Sequence, residues 1–318
     1  MKKALILLLM IFYLGTCADP GWGKMRLSMV TGGAGGVYFP LGQGIAKLLN
    51  EHLLDVETVA EEGNGSTANV NLVKQGIAAL AFVQNDVAFR AVNGMKPFRE
   101  PVKNLRLIAS LYPEQLHCVT FRGSGIKNFS DLKGRRVSAG APGSGVADTL
   151  SVVLSVAGWK YSDMDTDFYD FSDTIRELCN DELDVGFLLA GYPVAALSAL
   201  TEHKSIDLVA LDALLLEALS NEHSYLVKDV IPAGTYKDVN HDTPTVAAMA
   251  LLVCNADLPG ELAYGITKTI FENLEKLWPA HEVAKRISLD TALLGASLAL
   301  HPGAVKYYTE KGLEFPKP

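Results

Sequence analysis

Twice along the chain, apolar and polar positions follow one order: a short extended apolar stretch, a glycine turn, then apolar residues at helical spacing. KMRLSMVTGGAGGVYFPLGQGIAKLL, residues 24–49, is the first module; GRRVSAGAPGSGVADTLSVVLSVAG, residues 134–158, is the second. The first continues with a strand VETVAEE, a polar turn GNGST, a helix over Ala68–Gln75 and an apolar strand ALAFVQND. The second continues with TDFYDFS, a helix over Asp173–Cys179 and a strand DVGFLLAG. Strands alternating with helices predict parallel sheets and right-handed crossovers, so the expected fold is two α/β lobes of similar plan. Extended runs at Leu116–Phe121 and Thr245–Asn255 mark two crossings between them, which divides the chain into lobe I (24–117 and 247–318) and lobe II (118–246). From Leu258 onward the pattern is helical, with Pro259 near its start.

The length of 318 residues suits two such units, and 49% hydrophobic against 20% charged residues is a globular balance. Net charge is −8, and beyond the N-terminal Lys2-Lys3 the one tight basic pair is Arg135-Arg136, which leaves no electrostatic footprint for nucleic acid. At the N-terminus, Lys2 and Lys3 precede ALILLLMIFYL, too short to span a bilayer and of the length of a secretory signal core. Small residues at Thr16 and Ala18 predict a signal peptide over 1–18 cleaved after Ala18, and hence a periplasmic protein. A second reading takes Leu14-Gly15-Thr16-Cys17 as a lipoprotein box with Cys17 acylated; an uncleaved anchor is a third. Cys118, Cys179 and Cys254 lie in or beside apolar runs, so no disulfide framework is expected, with one bridge, Cys118 to Cys254, left open.

Nucleophile-elbow, zinc-helix and paired-cysteine motifs are absent, and the seven histidines are scattered; no metal or cofactor is expected. Asp163, Asp165 and Asp167 imitate a calcium loop but lack its Gly and Glu. Gly33-Ala34-Gly35-Gly36-Val37-Tyr38 places a bulky Tyr38 where a dinucleotide fingerprint needs its third glycine. What the small residues do permit is close approach of a ligand to N–H groups at a helix start, where the peptide dipoles favour an anion. Gly143-Ser144-Gly145 repeats the arrangement, and two such helix starts facing one cleft would grip a small anion by hinge closure.

Val30 to Gly42, Glu62-Gly63-Asn64-Gly65-Ser66 with Asn69, Ala81 to Asp86, Ala109 to Glu114, Gly140 to Gly145 and Pro244-Thr245-Val246 together resemble the TAXI family of solute-binding proteins. That resemblance implies a type II periplasmic binding fold, no enzymatic activity, and delivery of a small solute to the membrane subunits of a tripartite ATP-independent (TRAP) transporter. Glutamate, glutamine or a dicarboxylate such as 2-oxoglutarate are the solutes it implies, and a monomer is expected. Carried over residue by residue, one wall is Gly36, Val37 and Tyr38, with Ser66 and Asn69 adding polar contacts. Gln84 and Asp86 sit at a strand end, Asp86 to receive an ammonium; Ser144 and Gly145 form the opposite wall, and Tyr192 follows a strand ending at Gly191. Tyr192 and Val146 depart from the family pattern, which points to a bulkier and less polar pocket. Arg90, Arg106, Arg122 and Arg176 are the cations that could balance the solute. An ABC-type binding protein is the alternative, and a two-domain enzyme is the reading from another class.

Overall fold

A computed structural model describes residues 24–314; the expected leader, including Cys17 and Ala18, lies outside the described residues. The mixed α/β architecture predicted from the periodicity is present. Strands β1 (Met25–Val30), β2 (Val56–Glu61) and β3 (Leu80–Gln84) alternate with helices α1 (Tyr38–His52), α2 (Ser66–Lys74) and α3 (Asn85–Asn93). Strand β4 (Leu105–Phe121) leads into β5 (Arg136–Ser138), α4 (Gly145–Val156), β6 (Asp165–Asp167), α5 (Phe171–Cys179), β7 (Val185–Ala190), α6 (Ala195–Thr201), β8 (Ile206–Leu208), α7 (Ala213–Glu222) and β9 (Val227–Ile231). Strand β10 (Thr243–Asn255) returns, followed by α8 (Gly260–Phe271) and α9 (Pro302–Glu310).

The strand order is β2-β1-β3-β10-β4-β7-β5-β6, with β8 on β4 and β9 on β10. Strands β2, β1 and β3 are parallel, as are β6, β5 and β7; β4 and β10 run through the middle and change partners along their length. Strand β10 pairs with β9 over Thr243–Ala247 and with β3 over Ala250–Cys254. Strand β4 leaves β10 for β7 at Gln115. Strands β4 and β10 thus run from one half of the continuous sheet into the other and pass between the two lobes.

Burial follows the same division. Valines and alanines of α2 and α3, including Val70, Val73, Val87 and Ala88, pack with Val83 and Leu107 on one side of the first half-sheet. Leu41, Ile45 and Leu49 of α1 pack on the other side with Ile266 and Ile270 of α8. In the second half, Leu150, Val153 and Leu154 of α4 meet Leu215 and Leu219 of α7 over Val185 and Phe187. Each buried valine, leucine or isoleucine here contributes about 1.5–3 kcal/mol on burial.

Two expectations need correction. Cys118 and Cys254 are both free. Cys254 stands opposite Arg106 on β4 while Cys118 lies near the far end of that strand, tens of ångströms off at about 3.3 Å per residue, far beyond a disulfide's reach. The apolar strand expected to run to Asp86 ends at Gln84, and Asn85 and Asp86 open α3. With Gln84 extended at φ −71°, ψ 144°, its position is that of a helix N-cap.

Candidate functional site

All the parallel strands end towards one place. The loops after β1, β2, β3, β5, β6 and β7 surround a cavity of about 300 Å³, the edge at which open α/β sheets take their ligands. From the first half come the turn Gly32 to Tyr38, the turn Glu62 to Ser66, and Gln84. From the second come Ala141, Ser144, Gly145, Val146, Asp170, Phe171, Ser172, Leu189 and Ala190, and Glu114 is supplied by the crossing strand β4.

Helix starts dominate this lining. Helices α1 and α2 have Val37 and Gly65 at their N-caps, neither with a side-chain cap, so their first-turn N–H groups, other than Ala68 N, which donates to Gly143 O at 3.3 Å, are left for another acceptor. Pro40 falls in the first turn of α1, where a missing N–H costs nothing. On the facing half, Ser144 caps α4 through a bond from Ala147 N at 3.4 Å and Asp170 caps α5 through Asp173 N at 2.8 Å. Gly65 holds φ +94°, a conformation an L side chain rarely adopts, and a Cβ there would lie 3.1 Å from Ser144 Cα. Gly145 packs so closely on Gln84 that a Cβ would fall 1.4 Å from Oε1. The two halves are closed on one another at these glycines.

Among the described residues that line the cavity there is no Lys, Arg or His, but there are three acids, Glu62, Glu114 and Asp170. Glu114 is the buried one: Tyr38 Oη donates to its Oε2 at 2.7 Å. Burial, reinforced by the nearby Asp86, pushes its carboxyl up to about 8 against the help of Tyr38 and Gln84, so it is protonated at neutral pH. Burial likewise raises the Tyr38 phenol well above its ordinary value, with Glu114 adding to the effect.

The residues expected from the sequence divide into two groups. Gly36, Val37, Tyr38, Ser66, Gln84, Ser144 and Gly145 line the cavity; Asn69, Asp86 and Tyr192 do not. Asn69 Nδ2 donates to Thr31 O at 2.7 Å and Phe82 O at 2.8 Å, tying the ends of β1 and β3 together beneath the site. Ser66 Oγ accepts from Gln84 N at 3.0 Å. Asp86, expected to meet a ligand ammonium, has other partners: Arg90 Nη2 at 2.9 Å, Thr149 Oγ1 of α4 at 2.8 Å and Val87 N at 2.8 Å. Tyr192 carries the guanidinium of Arg286 over its ring, 3.8 Å from the centroid.

None of the four expected arginines lines the cavity. Arg90 is held by Asp86, Arg106 donates to the Lys103 and Leu105 carbonyls, Arg122 to Asp238 O, and Arg176 pairs with Asp173 and Glu177 on the surface. Glu114 and the α5 start were not singled out as site residues. Asp170 before Phe171-Ser172-Asp173 is a readable signal for the latter, since Asp is a favoured N-cap whose carboxylate accepts from the N–H three residues on. Glu114 ends the stretch Ala109 to Glu114 that carries the resemblance, but its place in the cavity comes from tertiary packing.

Two lobes joined by crossing strands, with the cavity between them, define the type II periplasmic binding protein fold. The chain belongs to the NMT1-like family, whose model matches residues 29–312. Among solved structures, it is similar to the periplasmic aliphatic sulphonate binding protein SsuA from Escherichia coli, with 15% identity, 91% of this chain and 83% of that chain covered, and TM-score 0.50. A putative L-cystine ABC transporter protein from Listeria monocytogenes is similar at 13% identity, 85% and 98% coverage and TM-score 0.51. The GluR0 ligand-binding core in complex with L-glutamate matches at 9% identity, 83% and 97% coverage and TM-score 0.50.

Proposed function

We propose that this protein is an extracytoplasmic, non-catalytic solute carrier that captures a small carboxylate by lobe closure, with the hinge at 117/118 and 246/247, and hands it to a membrane transporter. The carrying observation is the convergence of the uncapped starts of α1 and α2, from one lobe, with the starts of α4 and α5 from the other, around one closed cavity. N–H groups and helix dipoles supply the positive end that no lysine or arginine supplies there. Glutamate, glutamine and related dicarboxylates are the solutes to try first.

For the membrane partner, the order of sequence motifs supports TRAP subunits. The similarity to SsuA and to the L-cystine ABC transporter protein supports an ABC permease as a second reading. Uptake by reconstituted vesicles separates them: dependence on an ion gradient fits TRAP, dependence on ATP fits ABC.

The solute itself is named by mass spectrometry of ligand retained through purification, followed by thermal unfolding with that compound added. A true ligand at a hundred times its Kd stabilises by about 2.7 kcal/mol and raises Tm accordingly. Turnover of the bound solute, or a panel of carboxylates none of which shifts Tm, overturns the proposal.

A further inference from the structure

We propose that Glu114 sets the charge of the solute: its carboxyl serves as a hydrogen-bond donor on the cavity floor, so the site accepts one anionic group and rejects a matched dianion. This inference rests on the carboxylate reading above and narrows it.

Glu114 is 2% exposed, on the strand that crosses between the lobes, and it lines the cavity. The groups around it come from every side. Helix α1 presents Tyr38, β4 itself presents Tyr112, and α3 presents Asp86, whose charge is opposed by Arg90. Strand β3 presents Gln84, whose buried Oε1 has no hydrogen-bond partner, and β10 places Ala248 opposite. The turns after β2 and β6 bring Glu62 and Asp170 to the same cavity. Every titratable group here is an acid or a phenol except Arg90, which Asp86 already holds.

An ionised carboxylate in that setting has no cation among the lining residues to compensate it, and burial raises its pKa to about 8. As an acid it still accepts from Tyr38 and has one O–H to offer, the way a buried neutral carboxyl can bind an oxyanion. One solute carboxylate finds the helix starts and this proton. A second would face Glu62 and Asp170 with no positive side chain lining the cavity.

The test uses near-isosteric pairs differing by one charge, glutamine against glutamate and glutaramate against glutarate, titrated calorimetrically at pH 7 and pH 9. The amide member of a pair should bind at least tenfold tighter than its dicarboxylate partner. Wild-type affinity for it should fall about tenfold between pH 7 and pH 9, as the protonated fraction falls around a pKa near 8. Glu114→Gln, which keeps an acceptor for Tyr38 and a fixed N–H donor, should bind with no such pH dependence. Equal or tighter binding of the dicarboxylate, or an unchanged pH profile in E114Q, overturns the assignment and leaves the carboxylate reading standing. If no member of either pair binds and the retained ligand is not a carboxylate, both fall together.

Discussion

His117 and Glu114 lie three positions apart on β4 and are buried with opposite consequences for stability. Burial lowers the His117 imidazole from 6.5 to about 4, so the ring is neutral in the fold. Its Nδ1 bonds the Gln115 carbonyl at 2.9 Å, and its Nε2 meets Tyr236 Oη at 2.9 Å. The unfolded chain takes up that proton first, so the stability His117 confers is complete above pH 6.5 and is lost as pH falls towards 4. Glu114 works the other way: its folded pKa of about 8 lies above the ordinary glutamate value of 4.5, so its contribution is complete below pH 4.5 and is lost as pH rises to about 8. Between 4.5 and 6.5 the two slopes oppose each other. Above 6.5 Glu114 acts alone, and ligand-free protein should lose up to about 1.4 kcal/mol per pH unit until pH 8. Denaturant unfolding of wild type and E114Q across pH 6.5–8 checks this; an E114Q slope as steep as wild type would assign the loss to another group.

At the scale of elements, the start of α4 packs closely against the end of β3 across the cleft. Gly145→Ala would set its Cβ 1.4 Å from Gln84 Oε1 and 2.4 Å from Cδ, so the Gln84 side chain must leave its place or the helix must back away. Alanine suits a helix better than glycine, so each lobe should fold as before, with unfolding stability within about 1 kcal/mol of wild type. Solute affinity should fall at least about tenfold, a cost of about 1.4 kcal/mol, read by calorimetry together with loss of ligand-induced compaction in solution scattering. Wild-type affinity in this variant would remove Gln84 and Gly145 from the bound state. Such a contact is invisible in sequence, where Gly145 is simply the second glycine of a βα turn. What periodicity does reveal is each βα unit: β1, α1, β2, β7 and α4 fall where apolar spacing and glycine turns put them. Where it strays, a short polar-apolar mixture is responsible. The helix expected from Asp173 begins at Phe171, because Asp170 in the stretch before it serves as the cap of α5. Asp86 reads as a ligand-facing acid at a strand end, while its partner Arg90 sits one helical turn on, a spacing that only matters once α3 is known to begin at Asn85.

Across the whole molecule, the closed form is fastened outside the cavity as well as inside it. Thr149 Oγ1 of α4 donates to Asp86 Oδ2 at 2.8 Å, Thr67 Oγ1 of α2 donates to Asp148 Oδ2 at 2.5 Å, and Ala68 N donates to Gly143 O at 3.3 Å. These bonds join one lobe to the other, so under the proposed lobe closure they form only when the lobes are together and favour the closed form. Asp86→Ala is a poor probe, because it leaves Arg90 buried and unpaired at a cost of about 3–5 kcal/mol within its own lobe. Thr149→Val is cleaner: it keeps the shape and the Asp86–Arg90 pair and removes one bond to a charged acceptor, worth about 1.5–3 kcal/mol. Since the open form never makes that bond, the loss should appear as a solute affinity weakened by about 10- to 100-fold, and as a larger radius of gyration in ligand-free protein. Should T149V lower unfolding stability while affinity and scattering stay at wild-type values, Asp86 and Thr149 brace the fold and take no part in closure.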